Sequence, residues 1–566
     1  MIEKCEKRRF GQYTFAPAVL AAGLIVALAG GAFAANYYVN GNTGNDTNNG
    51  TSWATAYKTI TKAAGMGSGS YTNYVKGDCV YMESVSTIGN GASAAAPVVY
   101  QGVPGDGAGA WPIVSGGTNY VTSGFSLTSG KTYTYQIAET GTVVAVAEAP
   151  LGTRNWRRYL STNSADNVEA TAGSYYTNGT LLYVHTFTNT SPTNVQIVAC
   201  VKLSSNGRGF YVGNRNTTIQ NFEIRLCQSD GIYFLSYATN AIAYSNMIYA
   251  CGGSGIVPYS DNEILSYNTI FTNLQHGINL STPANNISIH HNTIYGHTIT
   301  YNCGLYGSGT GLVVSNNTVF GNNYGFWLYG NPGGSVVCNN TCTSNSTGIA
   351  VGSGAGADTV ANNTVAYNGT GINLGIWSSS PNCSAYNNLV YSNGIGIYLY
   401  SNTSTNYHIF NNTLFNNGSC ISERSASISS NNIIFNNIIW AVGTNNSCFN
   451  TPSSDQKSDW NDLYASNGAD VKRGGTTRHS LSDWQAEIVQ DLHSISVDPR
   501  VISTNLPLPD LHILLSSPCC RSATNVFQGV AAPAADMDGK TRTALVGYDQ
   551  GCYRRPSIGG TSILVR

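Results

Sequence analysis

Apolar and polar residues alternate over short runs throughout residues 209–440, and turn residues separate the runs. Examples are the pairs Ile278 with Leu280 and Ile397 with Leu399, each of which flanks one polar or aromatic residue. A period of two is typical of a β-strand, whose side chains point alternately to opposite faces. No run shows the 3.6-residue period of an amphipathic helix. The pattern therefore predicts many short strands joined by turns.

Two motifs recur in this region at nearly constant spacing. The first is an asparagine, usually followed by threonine and an apolar residue, at Asn246, Asn268, Asn292, Asn317, Asn340, Asn363, Asn388, Asn412 and Asn437. The second is glycine followed by an apolar residue, at Gly209, Gly231, Gly255, Gly277, Gly304, Gly325, Gly348, Gly371 and Gly396. A fixed period of this length is typical of a solenoid. Together with the strand pattern it predicts an all-β protein, a single-stranded parallel β-helix.

We expect the repeated asparagines to point inward, where each amide can bond the equivalent amide one coil away. A second inward set lies five residues further on, with His297 standing in for one asparagine: Asn273, Asn322, Asn345, Asn368, Asn393 and Asn417. Asn279 and Asn373 are expected to face outward. Both sets are predicted to be structural rather than catalytic.

The N-terminal segment has the features of an export signal. Lys4, Lys7, Arg8 and Arg9 precede an apolar run over residues 16–29, and residues 32–34 form a small-x-small cleavage site. We predict a signal peptide over residues 1–34, N-terminal coils over 35–119, a β-rich insertion over 120–200, main coils over 201–450 and closing coils over 451–566. The mature chain is expected to be secreted or on the cell surface, with no membrane span.

The flanks resemble exported β-helix proteins of the pectate lyase-like superfamily. The start of the mature chain over residues 36–60 and the segment over residues 77–81 are similar to the first coil and the next element of that family. Residues 497–500, 536–542 and 548–553 resemble a closing segment of the choice-of-anchor type. The resemblance implies a right-handed β-helix, export and action on polysaccharide.

Charge limits the classes of partner. Removing the leader takes four basic and two acidic residues from totals of 27 and 28, which leaves 23 against 26 and a net charge of −3. Nucleic acid is not an expected partner, because it requires a basic face. Only 10% of the residues are charged. An uncharged polar surface of this kind suits a polysaccharide partner.

Lyases of the superfamily would use Lys or Arg, often with calcium held by Asp. This chain has no lysine between Lys202 and Lys457 and no carboxylate between Glu263 and Asp358. We therefore predict no cofactor and no metal; calcium is the one ion that the resemblance leaves open. Asp261 and Glu263 form the one close carboxylate pair of the early coils, and a hydrolase would need such a pair. The same two residues also fit a polar turn at the beginning of a coil.

Charged residues concentrate in the first coils and define a candidate catalytic set. Arg208, Asp230 and His276 precede equivalent glycines, so we expect Arg208 and Asp230 to be neighbours, with His276 two coils further on. Arg208 or Arg225 would neutralise an acidic sugar, and His276 or Tyr233 would carry the proton. A surface salt bridge with a capping histidine explains the same pattern. A second basic cluster, at Arg154, Arg157 and Arg158 around Trp156, fits either glycan binding or packing of the insertion.

Aromatic residues recur at positions that should face outward from the strands, and a row of rings can stack against sugars. The candidate substrate-binding residues are Tyr211, Tyr259, Tyr306, Trp327, Tyr329, Tyr398 and Tyr400. Tyrosine also suits exposed strands without any ligand. The sequence favours an exported lyase or epimerase acting on an acidic polysaccharide. The alternatives are a non-catalytic glycan-binding or structural surface protein and a glycoside hydrolase.

Overall fold

The chain forms two compact units, Met1–Leu274 with Ile287–Ile289, and Gln275–Asn286 with His290–Arg566, which we call the first and second unit. The computed structural model describes residues 35–106, 109–120, 124–151, 153, 157–201, 207–281, 284–329, 334–352, 357–375, 382–400, 406–424, 431–452, 455–542 and 547–556. The signal-peptide prediction lies outside the described residues.

The first unit contains coils whose short strands stack in three parallel sheets. Sheet 1 holds Ala35–Val39, Tyr71–Lys76, Val98–Val103, Thr217–Gln220, Ile242–Tyr244 and Ile264–Ser266. Sheet 2 holds Val80–Tyr81, Ile113–Ser115, Glu223–Arg225, Met247–Tyr249 and Thr269–Phe271. Sheet 3 holds Val85–Thr87, Phe210–Val212, Ile232–Phe234 and Ile256–Val257. Short helices occur at Trp53–Thr55 and Ile60–Ala64.

An insertion between the early coils of the first unit consists of two further sheets, in which all pairings but one are antiparallel. One contains Gly117–Tyr120, Val143–Pro150, Arg157–Arg158 and Val195–Val201. The other contains Ser126–Leu127, Tyr135–Ala138, Leu160–Ser161, Ser174–Thr177 and Leu181–His185. Helices Ala165–Ala170 and Pro192–Asn194 lie between these strands. Val146, Leu182 and Ile197 are buried in the core that the insertion forms for itself.

The second unit repeats the same three-strand coil. Its sheet 1 holds Val313–Ser315, Val336–Cys338, Thr359–Ala361, Ser384–Tyr386, His408–Phe410, Ile433–Phe435 and Lys457–Asp459. Its sheet 2 holds Thr293–Tyr295, Thr318–Phe320, Thr341–Thr343, Thr364–Ala366, Leu389–Tyr391, Thr413–Phe415, Ile438–Val442 and Asp462–Ser466. Its sheet 3 holds Ile278–Leu280, Cys303–Gly307, Tyr324–Leu328, Thr347–Val351, Thr370–Leu374, Ile395–Leu399, Ser419–Glu423, Ser447–Asn450 and Asp470–Arg473. Strand Ser288–His290 has residues of both units.

The corner between sheets 1 and 2 is a single left-handed residue, followed by an inward asparagine. In the second unit the corner is an asparagine at Asn316, Asn339, Asn362, Asn387, Asn411 and Asn436, with φ between 51° and 58°. Asparagine tolerates this conformation better than most residues do. The repeated Asn-Asn pair therefore combines a backbone requirement at its first residue with a hydrogen-bonding requirement at its second.

The inward asparagines form the predicted ladder. The side-chain oxygen of Asn363 accepts hydrogen bonds from the backbone nitrogen and the Nδ2 of Asn340, at 2.9 and 3.0 Å. The Asn340 Nδ2 also donates to the carbonyl of Val314, at 3.0 Å. The same pattern continues from coil to coil, so each buried amide has its donors and acceptor used. In the second unit it extends one coil beyond the predicted members, to Asn461.

The second ladder is also confirmed. Asn322, Asn345, Asn368 and Asn393 each donate through Nδ2 to the oxygen of the next member. His297 takes the position of an asparagine, as expected, and its Nδ1 lies 2.9 Å from Asn322 Oδ1. Burial lowers the pKa of His297 to about 4. The histidine is therefore neutral at physiological pH, and Nδ1 carries the proton that the asparagine oxygen accepts.

A helix and an aspartate close the last coils of the second unit. Asn461 Nδ2 donates to Asp491 Oδ1 at 3.2 Å, and Trp484 Nε1 donates to Asp491 Oδ2 at 2.9 Å. Trp484 belongs to the helix Leu481–Ile488, and its ring lies 5.7 Å from that of Phe449. The final ladder amide is thus satisfied by a side chain outside the repeat, and burial raises the pKa of Asp491. Covering the end of a sheet in this way protects an open strand edge.

The closing segment packs along the corner asparagines. Asn387 donates to the Ala535 carbonyl at 2.8 Å, Asn411 to Asp549 at 3.1 Å and Asn436 to Thr524 at 2.7 Å. The segment includes two hairpins, Val501–Ser503 with Asp510–Ile513 and Val526–Phe527 with Val530–Ala531. Corner residues that bend the coils therefore also attach the C-terminal segment.

The ladder predicts a position-specific loss of stability. Asn363→Leu removes the acceptor of two Asn340 nitrogens and the donor to Val337, at a cost of about 1–3 kcal/mol for each buried group left unpaired. Asn373 lies one strand further on at a half-buried outer position, and Asn373→Leu is expected to cost under about 0.5 kcal/mol. Chemical denaturation of the two variants measures both values. Equal losses, or a larger loss for Asn373→Leu, would show that the inner and outer faces are exchanged.

Candidate functional site

Arg208 and Asp230 form an ion pair on consecutive coils of the first unit. The Arg208 Nε lies 3.1 Å from Asp230 Oδ2. The Ser229 hydroxyl donates to the same oxygen, and the Ser254 backbone nitrogen donates to Oδ1 at 2.9 Å. The predicted proximity of Arg208 and Asp230 is therefore confirmed. The carboxylate is only 10% exposed and already surrounded by protein donors, so it is poorly placed to accept a substrate proton.

Tyr211 and Tyr233 face outward beside this pair and are half-buried. Their rings stack at 5.8 Å, and the Arg208 guanidinium lies 4.1 Å above the Tyr233 ring. Burial raises the pKa of Tyr233; Arg208 opposes that shift, while Asp230, Tyr211 and Tyr259 add to it. A proton-carrying tyrosine needs the opposite shift. This cluster is therefore better suited to holding Arg208 than to moving a proton.

Arg225 lies elsewhere, on sheet 2, in a buried network. Its Nη1 is 3.7 Å from Glu223 Oε1 and 3.4 Å from the Tyr249 hydroxyl, which donates to Glu223 at 2.5 Å. The Arg225 side chain is 8% exposed. The prediction that Arg225 neutralises a substrate is therefore corrected, because its guanidinium is buried with a partner carboxylate. Such a pair is costly to break.

His276 belongs to the second unit, where it covers an aromatic ring. Its imidazole stacks on Tyr306 at 4.3 Å, and its Nδ1 accepts a hydrogen bond from the Cys303 backbone nitrogen at 3.1 Å. Burial lowers the pKa of His276 to about 4. The ring is neutral at physiological pH, and its basic nitrogen is already occupied. The capping alternative fits this geometry better than the proton-carrier prediction.

Two carboxylates of the coils, those of Glu263 and Asp358, are buried. Glu263 is fully buried, its Oε1 accepts from Ser260 at 2.8 Å, and burial raises its pKa strongly. Asp358 occupies the same inward corner in a later coil, and burial raises its pKa to about 6. Asp261 is half-buried at the coil surface. Asp261 and Glu263 therefore do not form the pair that a hydrolase needs, and the polar-turn alternative fits them better.

Aromatic side chains cluster on the outer face of sheet 3 in the second unit. Trp327 lies 4.3 Å from Tyr324 and 6.0 Å from Tyr306, which lies 5.0 Å from Tyr329. Trp327 points outward as predicted, but only 4% of it is exposed. Its neighbours cover the indole, so Trp327 is the floor of this cluster. The half-buried Tyr306, Tyr324 and Tyr329 form its surface.

Tyr398, Tyr400 and Arg424 form a second group on the same face. The two tyrosine rings lie 5.6 Å apart, and the Arg424 guanidinium lies 4.7 Å from the Tyr400 ring centre. Arg424 is exposed and takes no part in the ion pairs formed among the described residues. The neighbouring Glu423 points inward and is 2% exposed. Sequence reasoning missed Arg424, although it is the one Lys or Arg between Arg225 and Lys457.

Small residues separate the two groups. In the register of sheet 3, Trp327 pairs with Ala350, Ala350 with Asn373 and Asn373 with Tyr398. Three coil steps of about 4.8 Å place the outer ends of this row roughly 14 Å apart. The face from Tyr324 to Arg424, which we call the sheet 3 face, has an aromatic group at each end; between them Ala350 is buried beside Trp327 and Asn373 is half-buried.

The basic cluster of the insertion is described only in part, because Arg154 and Trp156 lie outside the described residues. Arg157 lies 3.7 Å over the ring of Phe187, and Arg158 donates to the Ala250 carbonyl at 2.8 Å. Both contacts are internal to the first unit. They fit the packing alternative for Arg157 and Arg158.

Two findings concern metals and membranes. No group of three or more His, Cys, Asp or Glu side chains converges in the part of the chain that the structure describes. None of the helices described there has the length and apolar character needed to cross a membrane.

Two protein-family models match parts of the chain. Residues 182–341 match "Right handed beta helix region", and residues 284–437 match "Periplasmic copper-binding protein (NosD)". The predicted fold, an all-β right-handed parallel β-helix with a β-rich insertion, is confirmed. No curated protein matches the chain in sequence.

Solved structures share the fold at low sequence identity. The structure of XylC in complex with xylose is 15% identical with a TM-score of 0.50, over 71% of this chain and 75% of that one. A pectate lyase structure is 10% identical with a TM-score of 0.40, over 92% and 96%. The A-module of a mannuronan C-5 epimerase from Azotobacter vinelandii is 16% identical with a TM-score of 0.34, over 74% and 93%. The similarity to the XylC structure is evidence for the fold alone.

The burial of Asp358 predicts that replacing it changes the stability of the protein by an amount that depends on pH. Burial raises its pKa from 3.8 to about 6, so the contribution of Asp358 to the stability of the wild-type protein falls as pH rises from about 4 to 6. Asn cannot ionise, and its oxygen can still accept from the Ser335 nitrogen as Asp358 does. Asp358→Asn is therefore expected to gain up to about 3 kcal/mol over wild type between pH 4 and pH 7. Denaturation at both pH values measures the change, and an offset independent of pH would contradict it.

Proposed function

We propose that this chain is an exported glycan-binding protein and that the sheet 3 face binds a chain of acidic sugars. The observation that carries the proposal is Arg424, an exposed guanidinium held 4.7 Å from the Tyr400 ring centre and without a carboxylate partner among the described residues. Arginine binds carboxylates through paired hydrogen bonds, and tyrosine rings stack against sugar rings. Uronic acid residues offer both a carboxylate and a ring.

The spacing of the two aromatic groups supports a chain ligand rather than a single sugar. Ala350 and Asn373 have small or polar side chains, and Gly352 and Gly375 occupy the next row, before Tyr400 and Arg424. Three coils therefore separate the two groups along the face. A sugar polymer can lie along the coils between Tyr324 and Tyr398. Export is supported by the leader-like N-terminal sequence.

The lyase or epimerase prediction remains a prediction, and the contacts of the residues named for it do not favour proton transfer. Arg208 is paired with Asp230, and the basic nitrogen of His276 accepts from Cys303. The raised pKa of Tyr233 makes its phenolate less available. Polysaccharide-active proteins are named among the solved structures of similar fold, which supports glycan as the ligand class without specifying a reaction.

Replacing Arg424 tests the proposal. Arg424→Gln is expected to weaken binding of oligogalacturonate or oligomannuronate about tenfold, because one charge-assisted contact is lost. Tyr400→Ala should weaken it to a similar degree. Isothermal titration at low and moderate salt measures the affinity, and raised salt should weaken wild type more than Arg424→Gln. Arg500→Gln, at another exposed arginine of the second unit, is the matched control.

Two outcomes would overturn the proposal. Unchanged affinity in Arg424→Gln, or equal weakening in Arg500→Gln, would show that the sheet 3 face is not the site. Release of unsaturated sugar by the wild-type protein in the same mixtures, with loss of that release in Tyr233→Phe, would establish the lyase prediction in its place.

A further inference from the structure

A second aromatic pocket lies on the outer face of sheet 1, at the first coils of the first unit. Its cavity volume is about 520 Å³, and its lining includes Asn36, Tyr38, Trp53, Tyr74, Lys76 and Asp106. Pockets for small ligands commonly have volumes of roughly 300–1,000 Å³. The chemistry proposed above uses none of these side chains.

The aromatic side chains of the pocket are arranged as a corner. Tyr38 and Tyr74 occupy paired positions on neighbouring strands, and their rings stack at 5.5 Å. The Trp53 indole meets Tyr38 at 4.9 Å with an angle of 64° between the planes. Trp53 is 40% exposed, so part of the indole remains open to a ligand. An exposed indole beside two phenols offers a stacking surface for a sugar ring.

The segment that carries Trp53 is held by several hydrogen bonds. Trp53 begins a one-turn helix. The hydroxyl of Ser52, the residue before this helix, accepts a hydrogen bond from the Thr55 backbone nitrogen. Asp46 Oδ1 accepts from the backbone nitrogens of Lys58 and Thr59, at 2.8 and 2.9 Å. The indole is therefore positioned before any ligand arrives, which lowers the entropic cost of binding.

Lys76 and Asp106 place one donor and one acceptor at the rim. They form an ion pair, and the Lys76 ammonium lies 5.6 Å from the Trp53 ring centre. The Asp106 side chain is 90% exposed and that of Lys76 is 24% exposed. A sugar diol can donate to the carboxylate and accept from the ammonium at once. Because the pair carries no net charge, it offers no net attraction to a uronate carboxylate.

We propose that this pocket, which we call the N-terminal pocket, is a binding site for a neutral sugar unit. The sugar ring stacks on Trp53, and its hydroxyls bond Lys76 and Asp106. The site is independent of the sheet 3 face in its residues and in its ligand, because that face has an arginine without a carboxylate partner among the described residues, whereas this pocket has a neutralised pair. The protein therefore has the means to hold neutral and acidic sugars at different sites.

Trp53→Ala in the full chain tests this inference. The probes are cellohexaose, xylohexaose, mannohexaose and maltohexaose, with oligogalacturonate as the acidic comparison, and titration calorimetry gives the affinities. Wild type should bind at least one neutral hexasaccharide, and Trp53→Ala should weaken that binding at least about tenfold. Trp111→Ala is the matched control, because Trp111 is 41% exposed and does not line the pocket. Trp111→Ala should bind as wild type does.

Two further variants guard against misfolding. Trp53→Phe keeps an aromatic face and should retain most of the affinity, and Asp106→Ala changes a side chain too exposed to affect folding but should weaken binding several-fold. Binding of none of the neutral hexasaccharides, or equal affinity in wild type, Trp53→Ala and Asp106→Ala, overturns the inference. Since Arg424 is unchanged in all these proteins, either result leaves the proposal for the sheet 3 face standing.

Discussion

The buried asparagine amide is the interaction on which the rest of the second unit depends. Each ladder oxygen accepts from two nitrogens of the preceding coil, as Asn363 does from Asn340. A buried amide that missed this contact by one residue would leave donors and acceptors unpaired, at about 1–3 kcal/mol for each group. The ladder therefore fixes the register of one coil on the next. Register in turn decides which side chains face out.

The outer surface follows from that register. Because Ile372 and Leu374 are buried inside, Asn373 between them faces outward, in line with Ala350 and Tyr398. Rings and a guanidinium that are far apart in sequence become neighbours through stacking alone. The corner asparagines add a second consequence, since Asn387, Asn411 and Asn436 hold the closing segment. One residue type thus bends the coil, pairs the coils and attaches the C-terminal segment.

The sequence was sufficient to predict the coils and both ladders, because asparagine at a 22–25-residue spacing has few other physical explanations. It did not reveal sheet 1 of the second unit, whose strands, such as Val336–Cys338 and Thr359–Ala361, have three residues and share no motif. The left-handed corner before each ladder asparagine was missed for a related reason. Its role is conformational and leaves no apolar period.

The site was less predictable than the fold. Strand alternation gives the direction of a side chain but not what covers it, so Trp327 points outward and is still buried by three tyrosines. Arg225 is hidden by a partner carboxylate. Arg424 occupies the outward row that also contains Tyr259, Tyr329 and Tyr400, but it follows no repeat glycine, so the glycine motif does not indicate it. Whether a charged side chain is available to a ligand depends on its ion pairs with neighbouring residues, and not only on the direction in which it points from the strand.

Hydrogen exchange of the backbone amides tests the central claim most directly. If the ladder fixes the register, the amides of Asn317, Asn340, Asn363 and Asn388, which donate to the next asparagine, should exchange only through cooperative unfolding of the coils. Their protection should then fall together, to a common free energy, as denaturant is added. Exchange of these amides at separate, lower free energies, like that of exposed turn residues, would contradict the account.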